Sequence, residues 1–245
     1  MNGAAFTYVG HVVGRRQLGG EEGRANNAFV TWWYTLGGLS FVGAGFSLAA
    51  ALGYTDLALH VTLLHIALLV LFIGLWGLGY YLAFLFTGNR SWFRILGALY
   101  SIYYVLLVYL VVRATPNRVI INRYNVELGY EREITEALPF VSILLVLLIL
   151  PQIIGALAYF SLLFRVRAPM QRYRIGMVAG TFLAWFGTSI IAGTLELSDT
   201  TEWWQPVSQA ISVAAALLIL LAYRPPKAWV RALEALEAKA SGGPV

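Results

Sequence analysis

The chain has 245 residues, of which 59% are hydrophobic and 12% charged, and its net charge is +5; an ordinary soluble domain is roughly 25% charged. A soluble fold of this length cannot hide so much apolar surface, so the class is a polytopic membrane protein. There is no cysteine, which excludes disulfides, thiol catalysis and thiolate metal sites.

Residues 1–28 read as a cytoplasmic N-terminal segment. In it "AAFTYVGHVVG" precedes Arg15 and Arg16, whereas a cleavable signal places its positive charges first. That stretch is also shorter than the roughly 20 apolar residues a spanning helix needs.

A transmembrane domain is predicted over 29–223, with spans at 29–54, 57–87, 95–113, 137–164, 175–195 and 206–223. The second and fourth are long, which predicts tilt or extension beyond the bilayer. The connections at 54–56 and 88–94 are short, so their neighbours are expected to pack as antiparallel pairs. Lipid gives no hydrophobic drive for helix association, so small residues must let backbones approach. Such stripes are Gly37, Ser40, Ala44, Ser47 and Ala51 in the first span, and Gly176, Gly180, Ala184 and Thr188 in the fifth. Ser208, Ser212 and Ala215 form a third in the sixth. A channel lining is the other reading of these stripes, but they contain no charge and few hydroxyls. The bulkier second and third spans are expected to face lipid or a partner. Trp32–Trp33–Tyr34 and Tyr80–Tyr81 are placed as aromatic belts near the inner ends, and Trp203–Trp204 at the outer start of the sixth span, with Pro206 in its first turn.

Orientation follows from Lys and Arg. With both termini inside, 13 of the 17 basic residues are cytoplasmic, and only Arg113, Arg118, Arg123 and Arg132 lie outside. The expected architecture is therefore an all-α six-transmembrane-helix bundle, N-in/C-in. Its outer loop, 114–136, contains "RVIINRYNVELGYERE", in which Val126, Leu128 and Tyr130 alternate with polar residues. This predicts a small extracytoplasmic β-hairpin, either a cap over the bundle or a sensing or docking element. Residues 224–245 form a cytoplasmic amphipathic tail. There "PPKAWVRALEALEAKA" stops the sixth span and starts a C-terminal interfacial helix with Trp229, Leu233 and Leu236 on one face.

The residues exclude several chemistries. Lys227 and Lys239 lie outside the spans, so no retinal Schiff base forms. His60 and His65 share one helix, about 140° apart around it, and do not converge on haem or a metal. His60, one turn after Asp56, has a local hydrogen bond within reach. His65, deeper, needs a partner, either structural or in a proton or substrate role. No Asp or Glu lies mid-membrane, against proton- or sodium-coupled transport. The reading is non-enzymatic, with no catalytic, cofactor or metal residues. The most irregular spot inside the membrane is Pro151–Gln152. Pro151 disrupts the bond to the Leu147 carbonyl, Gln152 adds an amide, and Gly155 thins the helix one turn later. Pro151, Gln152, Gly155 and His65 are the candidate hinge or pocket, and a fixed kink is the plainer alternative.

The stretch "FRVRAPMQRYRIG" carries Arg165, Arg167, Arg172 and Arg174 between the fourth and fifth spans. As a cytoplasmic loop it anchors orientation, and the arginines are expected to contact anionic lipid headgroups, with an acidic protein partner as the rival. Pro169 is expected to break any helix across the loop and leave the arginines splayed. The longer "FRVRAPMQRYRIGMVAGTF", 164–182, resembles the inner loop before the last helices of multi-helix membrane sensor modules at the N-terminus of bacterial and archaeal histidine kinases. The resemblance extends loosely over 57–223, but this chain has six predicted spans rather than seven and no kinase. It implies a sensor-like or partner-docking module in a prokaryotic plasma membrane. The alternatives are a channel or facilitator for a small solute, or an accessory subunit of a larger membrane complex. The expected partners are membrane lipids and a membrane protein, with no nucleic acid and no cofactor.

Overall fold

The computed structural model describes residues 2–15, 19–87, 95, 98–99, 101–102, 104–106, 109, 116–121, 126–130, 153–155, 157–195 and 204–240. It is mostly helical and divides into two compact units, Met1–Pro151 with Thr200–Pro206, and Gln152–Asp199 with Val207–Val245.

The first unit holds α1 (Asn2–Gly14), α2 (Gly20–Ala51) and α3 (Leu57–Thr87), with strands β1 (Pro116–Ile121) and β2 (Val126–Tyr130). α2 ends where Gly53 takes φ +77, a left-handed conformation that favours glycine. The Gly53 and Tyr54 N–H groups then close on the carbonyls of Ala50 (3.0 Å) and Ala49 (2.9 Å), a Schellman stop. Three residues later the Asp56 carboxylate accepts from the Ala58 N–H at 3.0 Å and caps α3. The predicted short connection is thus built from one glycine and one aspartate.

Residues 2–14, part of the segment 1–28 read as preceding the first span, form a helix along the N-terminal half of α2. Phe6, Val9, Val12 and Val13 are buried there. The approach is close because both sides are small: a Cβ on Gly37 would stand 2.5 Å from Thr7 Oγ1 and 3.2 Å from the Gly3 carbonyl oxygen. α1 also changes the role of the aromatic residues. Trp32 and Trp33 are buried, not belt residues, because α2 starts nine residues earlier than the predicted span and α1 covers this face. Trp33 meets Phe6 and Phe29 edgewise or tilted, each at 5.9 Å, and Phe29 stacks on Tyr81 at 4.4 Å.

α3 is less bulky inside than predicted. Its Gly74 leaves no room for a Cβ beside the Thr35 side chain, and a Cβ on Gly77 would stand 2.7 Å from the Ala28 carbonyl oxygen. Leu75, Leu78, Leu82 and Ala83 are buried around this crossing, while Ile66, Leu69, Ile73 and Trp76 face outward. Conversely, the small stripe of α2 packs closely only at Gly37; Ala44, Ser47 and Ala51 are exposed. β1 and β2 pair antiparallel, with Val119 opposite Leu128 and a register irregularity between Pro116 and Arg118. β1 lies against α3, and β2 against α2.

The second unit holds α4 (Ile153–Arg165), α5 (Pro169–Leu195), α6 (Trp204–Tyr223) from Val207 onward, and α7 (Lys227–Ala240). Tyr159 of α4 is buried and stacks on Phe182 of α5 at 5.7 Å. Thr181 donates to the Met177 carbonyl at 2.9 Å and also reaches the Ala215 carbonyl of α6 at 3.2 Å. The α5 glycines face both neighbours: a Cβ on Gly176 would meet Leu163 at 3.5 Å, and one on Gly180 would meet Leu218 at 3.4 Å. α6 contributes Ala215, Ala216, Ile219 and Ala222 to the core.

Among the described residues, three helices are long and apolar enough to cross a membrane: Glu22–Ala51, Leu57–Phe86 and Pro206–Tyr223. Most of the predicted spans 95–113 and 137–164 lie outside the described residues.

Candidate functional site

The four arginines of "FRVRAPMQRYRIG" surround the α4–α5 turn. Arg165 is the last residue of α4, Arg167 lies in the three-residue connection, and Arg172 and Arg174 sit in the first turns of α5. The helix does break before Pro169, but Pro169 opens α5 rather than leaving an irregular loop. Proline suits a first turn because its missing N–H has no intrahelical partner there, and it keeps the preceding Ala168 out of helical geometry. The second arginine pair is therefore held on a helix instead of splayed. All four are exposed, and no acid occurs between Glu136 and Glu196 to neutralise them locally.

Tyr173, between Arg172 and Arg174, points the other way. Its hydroxyl donates to the Leu221 carbonyl at the end of α6, at 3.2 Å. Its ring meets Trp229 of α7 edge-on, with centroids 5.8 Å apart and planes at 84°. Burial pushes its phenol pKa above the usual 10.0. One side chain thus ties together the start of α5, the end of α6 and the start of α7. It also brings Arg224, Lys227 and Arg231 to the same end as the four arginines, a surface of seven basic residues. α7 is amphipathic as predicted from its sequence: Val230 and Leu233 are half-buried, and Trp229 and Leu236 remain exposed.

The candidate hinge or pocket is not assembled among the described residues. Pro151 and Gln152 lie outside them. Gly155 is buried in α4. His65, expected to be deep and partnered, lies on the exposed side of α3 with Ile66 and Leu69, because the buried side of that helix is set by Gly74 and Gly77. His60 is the buried histidine, at 0% exposure. Its Nδ1 lies 2.8 Å from the Asp56 carbonyl oxygen. A carbonyl only accepts, so Nδ1 carries a proton there, while Nε2 is buried and without a partner among the described residues. Phe46 packs 5.6 Å from the ring. Asp56 binds His60 through its backbone, leaving its carboxylate to cap α3.

No protein-family model matches the chain, and no curated protein matches it. The site therefore stands on its own geometry. Among the described residues, no group of three His, Asp or Glu side chains comes together to hold a metal ion. What the arrangement offers chemically is recognition of negative charge at a surface, next to a helix tied to two others.

Sequence reasoning found the arginines and the tail helix but missed Tyr173. Its signal was present, a lone aromatic between two arginines just after a helix-starting proline, but its partners lie on α6 and α7, remote in sequence.

Proposed function

We infer that the chain is a non-enzymatic, sensor-like or docking module of a prokaryotic plasma membrane. In this reading it crosses the bilayer six times with both termini inside. β1 and β2 form a hairpin over the outer ends of α2 and α3. The basic end of α4–α7 faces the cytoplasmic leaflet, its arginines toward anionic headgroups. The observation that carries the reading is Tyr173, which binds α6 through its hydroxyl and α7 through its ring. Any relative shift of α5 and α6 is handed at once to α7, whose exposed Trp229 and Leu236 are free to report it to a neighbouring protein. The resemblance of 164–182 to kinase sensor modules points the same way.

The chain has no cysteine, so spin labels at Gln171 and Ala235, both exposed, report the α5–α7 distance in reconstituted protein. Replacing residues 116–130 with a flexible glycine–serine linker is expected to shift that distance distribution, and Tyr173→Ala to abolish the shift. An unchanged distribution after the replacement overturns the sensing reading. Solute flux through the reconstituted bundle then makes it a facilitator instead.

A further inference from the structure

The outward side of α4 is apolar apart from Ser161, whose hydroxyl donates to the Ala158 carbonyl of its own helix at 2.8 Å, and is cationic at its end. Ile154, Leu157, Phe160 and Phe164 are exposed, Leu157 at 65% and Phe164 at 78%. Their spacing of three, three and four residues puts them on one helical face. The described part of the stripe runs about 15 Å inward from Phe164 at 1.5 Å per residue, which covers the depth of one leaflet, half of a roughly 30 Å hydrocarbon core. It stops at Arg165. Beyond it lie Arg167, Arg172 and Arg174, exposed and with no acid near them in sequence. The N-terminal end of α5 at Pro169 adds the positive end of a helix dipole.

We propose that this face holds one anionic phospholipid, its acyl chain along Ile154–Phe164 and its phosphate among Arg165, Arg167, Arg172 and Arg174. An apolar stripe at least one leaflet deep that ends among four exposed arginines matches the apolar-to-anionic order of that molecule. A zwitterionic lipid fits the stripe equally but brings its own cation to the arginines. A free phosphate uses the arginines and ignores the stripe. An acidic protein segment also satisfies the charge, but it has no need of an apolar stripe running inward from the arginines. Phe160 and Phe164, tilted against each other at 6.3 Å, form the wall where the chain meets the headgroup. The proposal rests on the reading of this end as the inner membrane face.

The test is native mass spectrometry of the full chain in detergent, with phosphatidylglycerol and phosphatidylcholine of identical chains in competition. The expected result is one retained phosphatidylglycerol per protein, in preference to phosphatidylcholine. Each Arg→Gln change is expected to cut the preference about fivefold, and the fourfold Arg→Gln variant to abolish it. The fourfold Arg→Lys variant keeps the charge and is expected to keep the preference, which shows that substitution at these positions does not itself unfold the protein. Leu157→Ala with Phe164→Ala is expected to weaken both lipids together, leaving their ratio unchanged. Equal retention of the two lipids by the wild-type chain overturns the proposal, as does a preference that survives in the fourfold Arg→Gln variant. Displacement of the lipid by glycerol phosphate shows a free-anion site, and displacement by a polyglutamate peptide shows a protein-docking site; either result also overturns it. These outcomes are independent of the α5–α7 distance measurement, so the lipid site and the sensing reading fail separately.

Discussion

Glycine contacts in this chain differ by what a methyl group would meet. At Gly77 the obstacle is the Ala28 carbonyl oxygen, 2.7 Å from a built Cβ, and backbone cannot swing aside. Gly77→Ala is therefore expected to destabilise by about 1–3 kcal/mol as an overpacked contact. At Gly180 the neighbour is the end of Leu218, at 3.4 Å, so Ala fits there while Leu costs a similar 1–3 kcal/mol or so. Gly43 has nothing within 4 Å among the described residues, and Gly43→Ala is expected to be neutral or to gain up to about 1 kcal/mol of helix propensity. Unfolding curves in one detergent check that order, and equal curves for Gly77→Ala and Gly43→Ala would refute the crossing at Ala28. Tyr173 makes a second residue-scale prediction. Tyr173→Phe keeps the ring on Trp229 and loses the bond to Leu221, for about 0.5–1.5 kcal/mol. Its phenol pKa is raised in the folded chain, so the neutral form is the favoured one. The stabilisation is complete below pH 10.0, the ordinary value, and is lost as pH rises through the higher folded value. Wild-type and Phe variants are thus expected to differ at neutral pH and to converge in strong alkali.

Among the elements, α1 is held by small residues rather than by hydrophobic mass alone. Gly37→Val would drive a side chain into Thr7 and the Gly3 carbonyl. The expected result is faster amide hydrogen exchange across 4–14, with α3 unchanged; equal protection of α1 in variant and wild type would count against this packing. The same helix marks where sequence reading stops. Leu57–Thr87 was legible to the residue, because an unbroken apolar run starts at an aspartate cap and Gly53 ends the helix before it, all local signals. α1 was not, because thirteen residues fail the length test for a span and its Gly3, Thr7 and Gly10 resemble loop residues until Gly37 and Tyr34 are placed opposite them. The first-span stripe misled for the matching reason. Small residues permit close packing, but only an arriving partner uses them, and α1 arrives at Gly37 alone. In the candidate site the arginines were legible as a charge run, and so was the local bond of His60 to Asp56 one turn before it. Tyr173 instead depends on Leu221, 48 residues away, and His65 is exposed because the buried side of α3 is set by glycines several turns further on.

For the whole molecule the governing quantity is where positive charge sits relative to the apolar segments. Thirteen of 17 basic residues fall on one side if the chain crosses six times from an inside N-terminus, and Lys and Arg near span ends set orientation. The three apolar helices that the described residues contain fit this threading without fixing it, since a helix crosses equally well in either direction. The arrangement becomes testable because the chain has no cysteine, so each introduced thiol is the single label site. Asn125→Cys, between β1 and β2, and Thr200→Cys, before α6, are expected to react with an impermeant maleimide in intact cells. Gln171→Cys, among the arginines, and Ala235→Cys, on α7, are expected to react only after the membrane is opened. Labelling of Gln171→Cys from outside would reverse the chain and place the basic end against the wrong leaflet. Labelling of Asn125→Cys and Gln171→Cys from the same side would instead break the six-span count between them, since residues 137–164 are then not a crossing. Both faults are separable from misfolding at the inner sites, because Gln171 and Ala235 are exposed.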